Sequence, residues 1–259
     1  MIIGAQLFTV RDFCKTTEDL EETLKKVADI GFTTVQLSGV CPYEPHWMAE
    51  KLKENGLTAD ITHFDYNRYI NETDEMIDFH DIINCKYMGT GGFGALLLDA
   101  ETAEEKVTKT MLAITPAAKR MKERGHKFMY HNHNFEFARF SDGRTVLEHL
   151  CDCLPADEMG VTLDTYWAQA GGADPAECLR RLKGRVDCVH FKDMSYAIGE
   201  NRGIRMAPIG DGNMNYPEII KACDDANVQF AYIEQDDCYD KNPFDCLKRS
   251  LDYFRAQGF

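Results

Sequence analysis

Apolar, β-prone runs alternate with amphipathic stretches along the whole of this chain. Residues 2–7 form an apolar strand pattern. Residues 17–30 follow as a helix, with Leu20, Leu24, Val27 and Ala28 on one face and Gly31 just beyond its end. The pattern continues with a strand over 33–37, a short helix over 47–53 closed by Asn55-Gly56, a strand over 57–62 and a helix over 74–83. A short strand over 86–89 leads into the Gly-rich loop 89–94, and 102–124 is helical, with Pro116 expected to kink or split it. Strands over 127–131, 160–163, 187–190 and 229–234 then alternate with helices over 145–153, 174–182, 217–225 and 243–256, and a long loop separates 190 from 215. Strict alternation of apolar strands and helices implies a parallel sheet covered by helices. The chain has 259 residues, and one (β/α)8 TIM barrel needs about 250. The expected fold is therefore α/β, a single (β/α)8 barrel domain over residues 1–259. A doubly wound sheet is the alternative, but the GxGxxG fingerprint is missing after the first strand.

Polar signatures close four of these strands: Tyr130-His131-Asn132-His133, Leu163-Asp164-Thr165, Val189-His190-Phe191-Lys192-Asp193 and Ile233-Glu234-Gln235-Asp236. In a barrel all strands end at one face. Two imidazole-bearing and two carboxylate-bearing strand ends can thus converge on one divalent cation, which points to a metal-dependent enzyme. A carboxylate after the apolar run Phe230-Ala231-Tyr232-Ile233 needs a cation or a hydrogen-bonded partner if buried.

Composition narrows the class. Hydrophobic content of 44% and charged content of 28% are ordinary for a globular protein, and no apolar run approaches the roughly 18 residues of a membrane helix. The N-terminal residues 1–7 lack a basic region and a cleavage site and are expected to be the first strand. Ten cysteines are scattered without a CxxC pair, which fits buried thiols in a reducing, cytoplasmic setting. A net charge of −14 speaks against sustained contact with nucleic acid and favours a small neutral sugar or polyol. No membrane partner is expected, and a homo-oligomer is compatible with the fold.

Taken together, several motifs resemble the sugar phosphate isomerase/epimerase family of the xylose isomerase-like TIM barrels, whose relatives include inosose dehydratase and D-tagatose 3-epimerase. The motifs are Gly4-Ala5-Gln6-Leu7 with Val10-Arg11-Asp12, His131 to Phe137 (His-Asn-His-Asn-Phe-Glu-Phe), Leu163-Asp164-Thr165-Tyr166-Trp167, His190-Phe191-Lys192-Asp193, Pro208 to Gly212 and Ile233 to Asp236. The resemblance covers essentially the whole chain. It implies Asp164, His190 and Glu234 as ligands of one divalent ion (Mn2+, Mg2+, Co2+ or Zn2+), with Glu234 also facing the substrate as proton acceptor. An Asp at the end of a strand can instead be a helix N-cap, but Thr165-Tyr166-Trp167 is a weak helix start.

Strand five departs from the epimerases, which carry a metal-binding Glu there; the His-x-His of this chain resembles the inosose dehydratase branch. One of His131 and His133 would complete the metal shell, with His131 favoured by its position, and the other would act as general acid/base or bind substrate. Gln6, His63, Lys192 and Trp167 are the candidates for substrate contact. Lys192 is expected opposite His190 or in the next loop, holding a substrate hydroxyl or pairing with Asp193; Asp236 and Asp237 are expected as loop charges, and Glu136 as a structural partner. Gly210-Asp211-Gly212 would shape a loop over the pocket, where Arg202 or Arg205 could meet an anionic group.

The implied chemistry is isomerisation or epimerisation of a keto-sugar or keto-inositol through a metal-stabilised enediolate. A lyase of the same superfamily is the alternative, since the same enediolate can expel a β-hydroxyl or a β-aglycone, as in inosose dehydratase or C-glycoside deglycosylases. Endonuclease IV-type nucleases share the barrel but need more His and Glu ligands and a basic groove. A sugar sensor without turnover would leave the metal constellation without a purpose.

Overall fold

The computed structural model describes residues 1–200 and 202–259. The strands are β1 (Ile2–Gln6), β2 (Thr34–Leu37), β3 (Thr58–His63), β4 (Tyr87–Thr90), β5 (Lys127–His131), β6 (Met159–Asp164), β7 (Cys188–Phe191), β8 (Asp193–Ala197), β9 (Gly203–Ala207) and β10 (Phe230–Ile233). Eight of them, β1 to β7 and β10, pair in parallel and close into a barrel, with β10 between β7 and β1. The α/β-barrel expectation holds. β8 and β9 form a separate antiparallel hairpin.

The barrel interior is layered by the two-residue period of its strands. Ile61, Tyr87, Met129, Cys188 and Tyr232 make one apolar interior cluster. Tyr232 fills the space that Gly4 leaves: a Cβ on Gly4 would lie 2.7 Å from the Tyr232 ring. Two residues further along the same strands stand His63, Gly89, His131, His190 and Glu234. The polar centre is therefore the next interior layer above a packed apolar floor. Outward-facing strand residues such as Val35, Val161, Leu163, Val189 and Ala231 pack with the helices in the main core.

The helices are α1 (Thr17–Ile30), α2 (Pro45–Glu54), α3 (Tyr66–Asn71), α4 (Thr73–Ile82), α5 (Ala103–Glu123), α6 (Val146–Cys153), α7 (Thr165–Ala170), α8 (Pro175–Arg181), α9 (Tyr216–Ala226) and α10 (Pro243–Ala256). Helix starts follow local chemistry. Thr16 caps α1 by accepting from Asp19 N–H, and Thr145 and Glu148 form a reciprocal capping box on α6. Pro116 neither splits nor ends α5, which runs through it as one helix. The carbonyl left without a partner is that of Leu112, whose side chain is exposed, so that side of the helix is open to water.

Several elements depart from the sequence expectation, α3 between β3 and α4 among them. The long loop after β7 contains the β8–β9 hairpin, and α7 begins directly at Thr165. All ten cysteines are free thiols and five are buried. Among the described residues no helix is long and apolar enough to cross a membrane.

Candidate metal centre

His131, Asp164, His190 and Glu234 are all buried and bring one donor atom each within 4.8 Å of one another. Strand register explains the meeting, since Asp164 pairs with His190 across β6–β7 and Tyr232 with His190 across β10–β7. His131 Nε2 lies 3.3 Å from Asp164 Oδ2, and His190 Nδ1 lies 2.8 Å from Glu234 Oε2. Of the two strand-five imidazoles, the structure brings His131 into the cluster. His133 stands beside it, with ring centroids 4.7 Å apart, and stacks on Phe135.

Asp164 divides its two oxygens. Oδ1 accepts the Trp167 N–H at 2.8 Å and caps α7, while Oδ2 faces the cluster. The cap and the cluster are thus not alternatives, and the weak helix start at Thr165 is offset by this carboxylate. Asn132 adds a second tie, its Oδ1 accepting from Asp164 N–H at 3.0 Å.

Lys192 corrects the sequence expectation most clearly. It lies on the same side of the barrel wall as His190, because residues two apart share a face. Its Nζ is buried, 3.1 Å from both Asp164 Oδ2 and Glu234 Oε2 and 2.9 Å from Asp236 Oδ1. Asp236 is therefore part of the centre rather than a loop charge, whereas Asp237 is exposed. Lys192 does not pair with Asp193, whose carboxylate accepts the N–H groups of Met194, Gly210, Gly212 and Met214 at 2.7–3.2 Å. The loop 208–214 is held by that fan of bonds. Arg205 stacks on Tyr239 at 3.5 Å, and Arg202 is exposed.

The other named residues line the same end of the barrel. His63 sits 5.3 Å from His131 and 5.5 Å from His190, ring to ring. Gly89 makes room for it, as a Cβ there would meet the His63 ring at 2.8 Å. The Trp167 ring lies 5.6 Å from Lys192 Nζ, and its Nε1 is buried without a hydrogen-bond partner. Gln6 is buried, and its Oε1 accepts from Phe8 N–H at 2.9 Å, so at least one of its polar groups is structural.

Electrostatics follow from burial. Burial and the neighbouring imidazoles hold His63 and His131 well below the ordinary imidazole range, and burial with Lys192 brings His133 down to about 4. These rings are neutral near pH 7. Burial raises Asp164, and burial with the Glu234 charge pushes Asp236 up to about 7. For Glu234 burial acts upward, but the Lys192 ammonium outweighs it and holds the carboxyl low. For Lys192 burial acts downward, and Asp164, Glu234 and Asp236 outweigh it.

A test of metal fit comes from His190. Gln36 Oε1 is 2.6 Å from His190 Nε2; with the amide oxygen accepting there, Nε2 carries the proton and Nδ1 presents a lone pair to Glu234 Oε2. Nδ1 has no hydrogen-bond partner, and Oε2 faces it beside the Lys192 ammonium, 3.1 Å away. Two buried lone pairs this close repel unless they share a cation. When ionised, Asp164, Glu234 and Asp236 bring three negative charges against the single positive charge of Lys192, so a divalent cation would neutralise the centre. Two oxygen and two nitrogen donors suit Mn2+, Mg2+, Co2+ or Zn2+ alike. The residues present fit such an ion.

Glu136, expected as a structural partner, is buried and accepts from Tyr130 Oη at 2.6 Å and from His133 N–H at 2.7 Å. Burial pushes its carboxyl up to about 7 from an ordinary 4.5, against those two hydrogen bonds. The folded state then holds a proton that the unfolded state releases, so stability falls as pH rises from about 4.5 to 7 and levels off above. Glu136→Gln should gain roughly 2–3 kcal/mol relative to wild type between pH 5 and pH 8. Urea unfolding at the two pH values measures this; a difference between the proteins that does not change with pH would refute it.

Three residues of the centre escaped the sequence reading: Gln36, Asn132 and the role of Asp236. Gln36 stands between Val35 and Leu37 in a four-residue strand, where only its burial and its partner mark it out.

The comparisons with known proteins agree with this architecture. A curated inosose dehydratase of Mesomycoplasma hyopneumoniae (strain 7448) is 26% identical over 151 residues, 52% of this chain and 49% of that protein. The chain thus spans about half the length of the curated relative it matches. A sugar phosphate isomerase/epimerase structure from Parabacteroides distasonis superposes with a TM-score of 0.79 at 20% identity, covering 98% of this chain and 93% of that one. The IOLI protein, solved with a bound zinc atom, superposes at 0.70 with 12% identity, covering 99% and 97%. These likenesses to solved structures show the fold. With the family profile described as xylose isomerase-like TIM barrel matching residues 16–257, the chain belongs to that family.

Proposed function

We propose that this protein is a divalent-metal-dependent isomerase or epimerase that moves a proton next to the carbonyl of a keto-sugar or keto-inositol. The observation that carries this reading is the buried His131–Asp164–His190–Glu234 cluster, with the unpartnered His190 Nδ1 turned toward Glu234 Oε2. A divalent ion bound there would supply Lewis-acid stabilisation of the enediolate that forms when the α-proton leaves.

The chain's own groups divide the remaining work. Glu234 is the proton acceptor, and His133, neutral above about pH 4, exchanges a proton or holds a substrate hydroxyl from the other side of the barrel. His63 Nε2 and Trp167 Nε1, both buried without partners, offer hydrogen bonds to substrate oxygens, and Lys192 fixes the carboxylates and reaches a substrate hydroxyl. Gln6 is a weaker candidate for the same task because its Oε1 is already engaged.

The cations nearest the centre, Lys192 and Arg68, are already paired with carboxylates, which favours an uncharged substrate. A cleft of about 340 Å3 opens beside His63, with a second of about 380 Å3 next to it. The described residues lining them include one cation, Arg68, which is ion-paired with Glu72 at 2.9 Å. Together with the net charge of −14, this favours a neutral sugar or cyclitol over nucleic acid.

A lyase is the second reading. It is supported by His131-x-His133 and by the likeness to inosose dehydratase. The mass of the product separates the two. A panel of 2-keto and 3-keto sugars and inositols, incubated with Mn2+ in deuterated water, should show solvent deuterium in a product of unchanged chemical composition for the isomerase. Loss of water or of an aglycone marks the lyase. Elemental analysis tests the common premise: the purified protein should hold about one divalent ion per chain, and Asp164→Ala should lose it. A metal-free wild type with full activity would sink both readings.

A further inference from the structure

Gln36 touches the centre without belonging to the four-residue cluster. It is fully buried on β2, its Oε1 is 2.6 Å from His190 Nε2, and its own Nε2 is buried with no partner. An amide can either accept through oxygen or donate through nitrogen. In the arrangement present, the oxygen faces His190. The imidazole proton is therefore on Nε2, and the lone pair of Nδ1 points toward Glu234 and Asp164, at 2.8 and 3.9 Å.

Resting on the metal reading above, we propose that Gln36 is a positioning residue that sets which nitrogen of His190 carries the proton and keeps Nδ1 available as the metal donor. The orphaned Gln36 Nε2 leaves room for a second use of the same side chain. Rotating the amide by half a turn presents this N–H to a bare His190 Nε2, and the imidazole proton moves to Nδ1. There it donates to Glu234 Oε2 across the 2.8 Å already present. Gln36 therefore serves His190 in both states, accepting when the ion is bound and donating when it is not. A glutamate at this position could only accept when ionised, and it would add another negative charge beside Asp164, Glu234 and Asp236.

Two variants and one measurement on the wild type test this. Gln36→Met keeps the length of the side chain and removes both polar groups; Gln36→Glu keeps an acceptor. Zn2+ dissociation constants come from competition with a chromophoric chelator, with circular dichroism as the check on folding. Gln36→Met should bind Zn2+ about 10–100-fold more weakly, as is usual for loss of the group behind a ligating imidazole, while Gln36→Glu should bind at least as tightly as wild type. In the Zn2+-loaded wild type, 15N NMR should place the His190 proton on Nε2. The proposal is overturned if Gln36→Met binds as tightly as wild type, if Gln36→Glu weakens as much as Met, or if the loaded wild type carries no proton on Nε2. A wild type that takes up no Zn2+ would overturn the metal reading as well, so the two failures are distinct.

Discussion

Lys192→Met is expected to destabilise the metal-free protein by about 3–5 kcal/mol, and a divalent ion is expected to restore much of that loss. The lysine is the common cation of three buried or half-buried carboxylates, within 3.1 Å of Asp164, Glu234 and Asp236. Removing one partner of a buried ion pair leaves the other charge uncompensated, at the cost just quoted. Methionine fills most of the volume, so a packing defect contributes little. Some of the penalty will be relieved by protonation, most readily at Asp236, already pushed up to about 7 by burial and Glu234. The loss should therefore be larger at pH 8 than at pH 5. Melting in EDTA and in excess Mn2+ or Zn2+ measures the effect. The variant should melt on the order of 10 °C lower in EDTA and gain more from metal than wild type does. Equal melting temperatures in EDTA would show that the lysine is not what balances these carboxylates.

The second large effect is on chemistry. Glu234→Gln should slow exchange of the substrate α-proton by about 10²–10⁴-fold, the usual contribution of a positioned general base. The amide preserves shape and keeps an oxygen toward the centre, while losing the charge and the ability to take a proton. Asp164, His131 and His190 remain to hold the ion, and Lys192 retains Asp164 and Asp236 as partners. Metal content must be measured on the same sample, so that lost chemistry is separated from a lost ion. Solvent-deuterium uptake by the substrate is the readout. A metal-loaded Glu234→Gln protein that exchanges the α-proton at the wild-type rate would remove Glu234 from the role of base, and another group in the ring would have to take it.

Much of the centre was legible because barrel strands convert sequence spacing into geometry. Met129 and His131, Cys188 and His190, and Tyr232 and Glu234 are each two residues apart, so a floor residue and a cluster residue share one face. The placing of Lys192 failed for a related reason. The sequence pattern ends the strand at His190, but the inward alternation persists beyond the strand ends, to Lys192 just after β7 and Asp236 just after β10. Gln36 was missed because an uncharged amide in a four-residue strand carries no chemical flag until its partner is known. The hairpin was missed because Gly199, Glu200 and Gly203 gave its middle the composition of a loop, although Met194-Ser195-Tyr196 and Ile204-Arg205-Met206 alternate on either side. Its pairing is visible only once both arms are brought together.

The Asp193 fan of hydrogen bonds has an evolutionary consequence. The carboxylate joins the start of the hairpin to the amides of Gly210, Gly212 and Met214, so that the segment leaves and rejoins the barrel at a tied neck. Lengthening a loop whose ends are already fixed is inexpensive, about 0.6 kcal/mol for each doubling. Insertions and deletions between Met194 and Ala207 can accumulate without moving His190 or Lys192, three and one residues before the neck. The rim formed by the hairpin is thus free to change length and shape while the buried His131–Asp164–His190–Glu234 cluster keeps its place.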